Sequence, residues 1–517
     1  MRIILLAGAA LLIAASPGLA QHEHAASSTN SARVGSVKMK NEGNAAAQAP
    51  FLRGLALLHN FEYSSAEEAF RAAQAADPDF VLAYWGEAMT YNHPLWAEQD
   101  AAAARAVLTR LGPTPAARKA KARSPREAQW LDAVEALYGN GSKYERDFAY
   151  ADRMKVVFDA DPNDIDARSF YALSIMGTAH NGRDIGLYMQ AAALLEEAFP
   201  AHPDHPGVVH YLIHTYDDPA HAPLGERAAS RYALVAPDAG HAQHMVSHIY
   251  LALGRWPQVE LANRQAMAVV NGQRAAQGKP ATSCGHYNEW LAYALDQQGK
   301  DSQTLVDACK AEALGDQSSV ADKSVLGGSR NLITNWAQIA TRHGVDTGRW
   351  PATALPVGDK LAVARFTLAY ADLLAARRSP ARAETALGKM KAQRESIAAA
   401  IKTEWPDDDE SLPWFDRAIA QGEAAVALSR GEREKGLRLL REAAAAESRL
   451  PVPFGPPVLA KPSAEMLGEE LLADGRKAEA AAAFSRALEA APNRRLSVQG
   501  LATASANDAL ASGEVTH

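Results

Sequence analysis

His210 and His244 lie 34 residues apart, as do His214 and His248, and His180 stands another 34 upstream of His214. A period of this length marks an array of stacked supersecondary units, each too small to bury its own apolar stripe and stable only against its neighbours. Within each pair the histidines are four apart, so on a helix they share one face. Stacking the units sets those faces side by side. The period therefore limits the chain to a repetitive helical array and predicts a histidine-lined seam across successive repeats.

Composition agrees with helices. The chain is dense in Ala, Leu, Glu and Arg, has 7% aromatic residues and has no long alternating Val/Ile/Thr runs. Helical texture is read over 126–138, 145–158, 286–298, 302–314, 359–377, 382–403, 415–429 and 432–447, with breakers such as Gly139-Asn140-Gly141-Ser142, Pro406 and Gly431 between. Leu450-Pro451-Val452-Pro453-Phe454-Gly455-Pro456-Pro457 cannot be helical. It reads as an extended loop long enough to fold across a groove.

In a frame starting at Ala47, Gly54, Ala66, Phe70, Ala73 and Pro78 fall at positions 8, 20, 24, 27 and 32. A frame starting at Lys461 repeats the set as Gly468, Ala480, Phe484, Ala487 and Pro492. Weaker frames keep the spacing, with Ala191, Leu195, Ala198 and Pro203 after a start at Ala172, and Pro237 after a start at Pro206. This pattern resembles the tetratricopeptide repeat (TPR). The strings His59-Asn60-Phe61-Glu62-Tyr63, Tyr84-Trp85-Gly86-Glu87-Ala88-Met89-Thr90-Tyr91-Asn92-His93-Pro94-Leu95-Trp96 and His210-Tyr211-Leu212-Ile213-His214 resemble a group of exported bacterial tetratricopeptide proteins of uncertain biochemical role. The resemblance implies an all-α fold: an α-solenoid, a superhelix of antiparallel helix pairs, with the proline-rich loop before its last repeat.

The resemblance also implies that positions 2, 5, 9, 12 and 13 of each first helix line a concave groove. His241 then falls at position 2, His210 and His244 at 5, His180, His214 and His248 at 9, Asp217 at 12, and His59 and His93 at 13, which is eight of the sixteen histidines. His210, His214 and Asp217 follow i, i+4, i+7, and His241, His244 and His248 follow i, i+3, i+7. Packed helices run ~8–10 Å apart, a gap two imidazoles can bridge with metal–nitrogen bonds of ~2 Å. The candidate ligands are His210, His214, Asp217, His241, His244 and His248. His180, His221, His286 and Glu289 are candidates as further ligands or as partners of the ligating rings. Such a donor set suits a transition metal, zinc being favoured narrowly over copper, with iron within range. A lone histidine on such a helix is more often a hydrogen-bonded side chain than a ligand, and His202 and His205, flanking Pro203, read as solvent-facing.

Met1-Arg2, the apolar run Ile3–Ala15 and Ser16-Pro17-Gly18-Leu19-Ala20 read as a signal peptide over residues 1–20, giving an exported, periplasmic protein. Residues 21–46 read as a flexible leader, 47–270 as an N-terminal repeat array with the histidine-rich groove, and 271–449 as central helical repeats. Residues 450–462 form the proline-rich loop, and 463–517 a last repeat and tail. Cys284 and Cys309, the two cysteines of an exported chain, are expected to pair as a disulfide, although the helices assigned here leave them about two turns out of register.

A formal charge of −7 argues against nucleic acid as partner. No segment after the signal has the ~20 apolar residues of a membrane span. There is no P-loop, no His-Glu-x-x-His run and no Gly-x-Ser-x-Gly elbow. The function expected is transition-metal binding in the groove, either in a metalloenzyme acting on a small molecule or in metal handling without turnover. The alternative is a non-catalytic scaffold whose groove takes a peptide or protein partner.

Overall fold

The computed structural model describes residues 33–327, 331–352, 354–355, 360–404 and 411–506, and among these the chain is an array of 24 α-helices. The two-stranded sheet, Asn92–His93 against Glu98–Gln99, encloses a 3₁₀ turn at Pro94–Trp96. Consecutive helices pack on one another along the chain. Ala45–His59 pairs with Tyr63–Ala76, Pro206–Tyr216 with Ala222–Val235, and Gly240–Ala252 with Trp256–Ala276. The helical stretches read from sequence lie within about four residues of observed helices.

What closes the pairs is small residues against large ones. Phe70 is fully buried between two glycines: a Cβ on Gly54 would sit 3.0 Å from its ring and one on Gly86 only 2.3 Å. Phe484 is wedged identically, at 2.8 Å from a Cβ on Gly468 and 2.3 Å from one on Gly500. Those are the frames starting at Ala47 and Lys461, and Pro78 and Pro492 stand just past the helices ending at Ala76 and Ala490. An all-α solenoid of tetratricopeptide type follows from this packing.

The array does not end free. Trp256 Nε1 donates to the Asn493 carbonyl at 2.9 Å, and Arg494, fully buried, meets Glu465 and the Tyr293 hydroxyl. The last repeat is thereby docked on the middle of the chain. Residues 451–462 are non-helical and cross the array, with Arg342 donating to the Pro457 carbonyl at 3.1 Å. Gly455, at φ +142°, lies against Trp290, where a Cβ would be 2.9 Å from the ring.

The leader read as flexible over 21–46 requires correction in its second half. Val34, Val37 and Met39 are buried in the main core, Asn60 donates to the Val34 carbonyl at 2.6 Å, and the Arg33 amide meets Asp238 at 2.7 Å. Three apolar side chains spaced through a polar segment suffice to pin it. Residues 1–32, on which the signal-peptide reading falls, lie outside the described residues. Cys284 and Cys309 are joined as a disulfide with Cα atoms 4.4 Å apart. Cys284 precedes the helix His286–Gln297 in a non-helical stretch that carries it back to Gln303–Gly315, so the register of the hairpin does not constrain it.

Candidate metal centre

Three helices supply the seam. Pro206–Tyr216 begins with proline at its first turn and is buried along its whole length; Gly240–Ala252 stacks beside it; His286–Gln297 follows. The i, i+4 spacing puts His210 and His214 on one face with ring centroids 4.9 Å apart. From there the rings run continuously. Centroids are 5.1 Å apart for His210 and His241, 5.6 Å for His214 and His248, 5.0 Å for His244 and His248, and 4.5 Å for His244 and His286.

Four of the rings are held by their Nδ1 side. His210 Nδ1 lies 2.6 Å from the His59 carbonyl, His244 Nδ1 2.7 Å from Asn263 Oδ1, and His214 and His248 Nδ1 3.3 and 3.1 Å from the same Asp217 Oδ2. Those partners accept, so the ring nitrogens donate, and this fixes the tautomer that leaves Nε2 with a lone pair. The Nε2 atoms turn toward one another. His210 and His241 Nε2 are 3.3 Å apart, and His244 and His248 Nε2 are 3.1 Å apart. Two nitrogens each ~2.0–2.1 Å from a tetrahedral ion are separated by about 3.3 Å. A third nitrogen joins each pair. His210, His214 and His241 each offer one nitrogen within 4.8 Å of the others, and so do His244, His248 and His286. His214 Nε2 and His286 Nδ1 are buried without a hydrogen-bond partner.

Burial lowers the pKa of His210, His241 and His244 well below the usual value and lowers that of His214; His286 is brought to about 3. These imidazoles are therefore neutral at neutral pH, the form that ligates. Burial alone would raise the pKa of Asp217, but the Arg183 charge and the His214 and His248 hydrogen bonds outweigh it and keep the carboxyl well below the usual range. Arg183, itself buried, pairs with Asp217 Oδ1 and donates to the carbonyls of His214, at 3.2 Å, and Thr215, at 2.7 Å. It thus caps the C-terminal end of the first helix with a cation while fixing the carboxylate.

Placed in this geometry, the expected residues divide. His210, His214, His241, His244 and His248 come together, and His286 joins them as a sixth ring. Asp217 is engaged by Arg183 on one oxygen and by His214 and His248 on the other, and with those two histidines it forms a further group whose ligand atoms lie within 4.8 Å of one another. His180 falls outside: its helix ends at Gly177, and its ring stacks on Tyr144 and bonds Asp147 at 3.0 Å. His221 pairs with Asp218 at 2.8 Å at the start of the next helix, and Glu289 is in an ion pair with buried Arg342. Neither reaches the seam as a ligand.

The groove reading also changes. The five clustered histidines are at most 7% exposed, because the concave face is filled by the protein itself. Phe61, held at φ +56°, sits 4.4 Å from the His210 ring; Trp96, from the 3₁₀ turn, lies 6.4 Å from His214; and Phe454, from the proline-rich loop, lies 6.4 Å from both His214 and His248. Sequence reasoning missed Arg183, Asn263 and the capping role of Phe61 and Trp96. It also missed a neighbouring group: His59 and His205 Nε2 lie 2.9 and 3.1 Å from Asp166 Oδ1, with His205 buried rather than solvent-facing. His343 is buried against Asp296 and Ser302.

Fold and site together define a helical-repeat protein with a buried imidazole cluster. No family model matches the chain. No curated protein matches it either. Among solved structures, the APC/C hetero-tetramer Cut9-Hcn1 is similar at 10% identity over 90% of this chain and 77% of that one, with a TM-score of 0.37. A human IFIT1 dimer with m7Gppp-AAAA is similar at 15% identity over 87% and 91%, with a TM-score of 0.33. The TPR domain of P58(IPK) is similar at 12% over 91% and 100%, with a TM-score of 0.22. Superpositions this loose transfer no property to the chain. Among the described residues no helix is long and apolar enough to cross a membrane.

Proposed function

We propose that this protein binds a transition-metal ion through His210, His214 and His241, in the repeat array of an exported protein. The observation that carries the reading is the buried, partnerless Nε2 of His214 beside the His210 and His241 nitrogens, which stand at the edge length of a tetrahedral site. A buried imidazole nitrogen without a partner is costly, and an ion supplies the missing one. When bound, the metal would offer a Lewis-acid or redox centre with a fourth position open to a small ligand. The chain's own residues do the rest. The His59 carbonyl and Asp217 orient two of the rings, Arg183 holds Asp217, and Phe61 and Trp96 exclude bulk water. With both cysteines in a disulfide the donor set is imidazole, which suits zinc first and copper next, with iron after them.

A peptide-binding scaffold would use the same concave face, but Phe61, Trp96 and Phe454 occupy it at the seam, so the metal reading is preferred. Elemental analysis of untagged protein, reconstituted at neutral pH, is expected to return near-stoichiometric metal. Less than about a tenth of an equivalent of every transition metal would sink the reading. His214→Ala is expected to lose the ion held by His210, His214 and His241 with helicity unchanged. Export is supported by the residue pattern of 1–20, and the mature N-terminus recovered from a periplasmic extract is expected to be Gln21. An N-terminus at Met1 would contradict export.

A further inference from the structure

We infer that the seam holds two ions rather than one, in adjacent three-histidine sites that share Asp217 as their common orienting group. The inference rests on the reading that the seam binds metal, and it concerns the second half of the cluster. His244, His248 and His286 each place a nitrogen within 4.8 Å of the others, and none of them belongs to the triad of His210, His214 and His241. The second triad repeats the features of the first. One N···N separation, 3.1 Å between His244 and His248, is close to a tetrahedral edge. One nitrogen, Nδ1 of His286, is buried without a partner, as Nε2 of His214 is in the first. Each triad draws on two helices, the first on Pro206–Tyr216 and Gly240–Ala252, the second on Gly240–Ala252 and His286–Gln297. The helix Gly240–Ala252 serves both, because His241 lies against His210 on one neighbour and His244 against His286 on the other.

The two sites are joined by a single oxygen. Asp217 Oδ2 accepts from His214 Nδ1 of the first triad and from His248 Nδ1 of the second, and the two rings are 5.6 Å apart between centroids. Six neutral donors around two divalent ions leave a large positive charge in a buried site. The one carboxylate touching a ligand from each triad lies where it offsets both. The ions taken are first-row divalent metals of borderline softness, since every donor is an imidazole.

Titration of full-length, metal-free protein with Co(II) at neutral pH separates the outcomes, using tetrahedral absorption bands and bound-metal analysis as readouts. The expected result is two equivalents for the wild type and one each for His210→Gln and His286→Gln, variants that keep side-chain bulk and are checked for unchanged helicity. Asp217→Asn is expected to weaken both equivalents by about 10–100-fold. A single equivalent in the wild type that survives His286→Gln but not His210→Gln would overturn this inference while leaving the proposed function standing. A single equivalent lost in both variants would mean one shared ion and would also overturn it. No bound cobalt at all would remove both readings. Weakening of one equivalent only in Asp217→Asn would refute the shared orientation.

Discussion

At the residue scale, burial decides what the imidazoles can do. His59 and His286 are lowered to about 4 and about 3, mainly by burial, against an unfolded value near 6.5. The unfolded chain then binds more protons than the folded one between those limits, so stability rises with pH through this window and is lost as pH falls from about 6.5 toward 3. Thermal melts of the metal-free protein are expected to show a midpoint falling steadily below about pH 6.5. A flat profile down to pH 4 would mean the rings are not buried neutral. The gathering of His210, His214, His241, His244 and His248 into one cluster was legible in sequence because helix geometry links i and i+4 directly. Arg183 and Asn263 were not: each reaches the seam from another helix or loop, a relation no local spacing encodes.

At the element scale, the first and last frames are closed by a phenylalanine wedged between glycines, of which the frame positions of Gly54 and Phe70, and of Gly468 and Phe484, were legible in sequence. Phe70 and Phe484 hold the same frame position, and each leaves no room for a methyl group on the glycine 16 residues later, Gly86 and Gly500. Gly86→Ala and Gly500→Ala are each expected to cost about 1–3 kcal/mol by overpacking, measured by denaturant melts. Gly388→Ala, where a Cβ would meet no atom within 4 Å, serves as the control. Equal melts for all three would refute the wedge. His180 shows where periodicity misleads. It keeps the 34-residue step, but the helix has already ended at Gly177, so the ring leaves the column for Tyr144 and Asp147.

At the scale of the whole molecule, chain closure turns an open groove into an enclosed centre. A proline-rich segment able to cross the array was legible; that Phe454 would seat over His214 and His248 was not, since it depends on how far the superhelix turns. Phe454→Ala is expected to leave the metal content unchanged and to speed metal removal by a chelator several-fold. An unchanged rate would place the path to the ions elsewhere. The docking of residues 492–494 on Trp256 and Tyr293 holds that lid in register with the seam from more than 190 residues away in sequence.

The most direct measurement is anomalous diffraction at the metal absorption edge from crystals of reconstituted protein. The expected map has a peak within ~2.0–2.1 Å of the ring nitrogens of His210, His214 and His241. A map without density there, or with its peaks only at other sites on the chain, would contradict a metal centre at these three histidines.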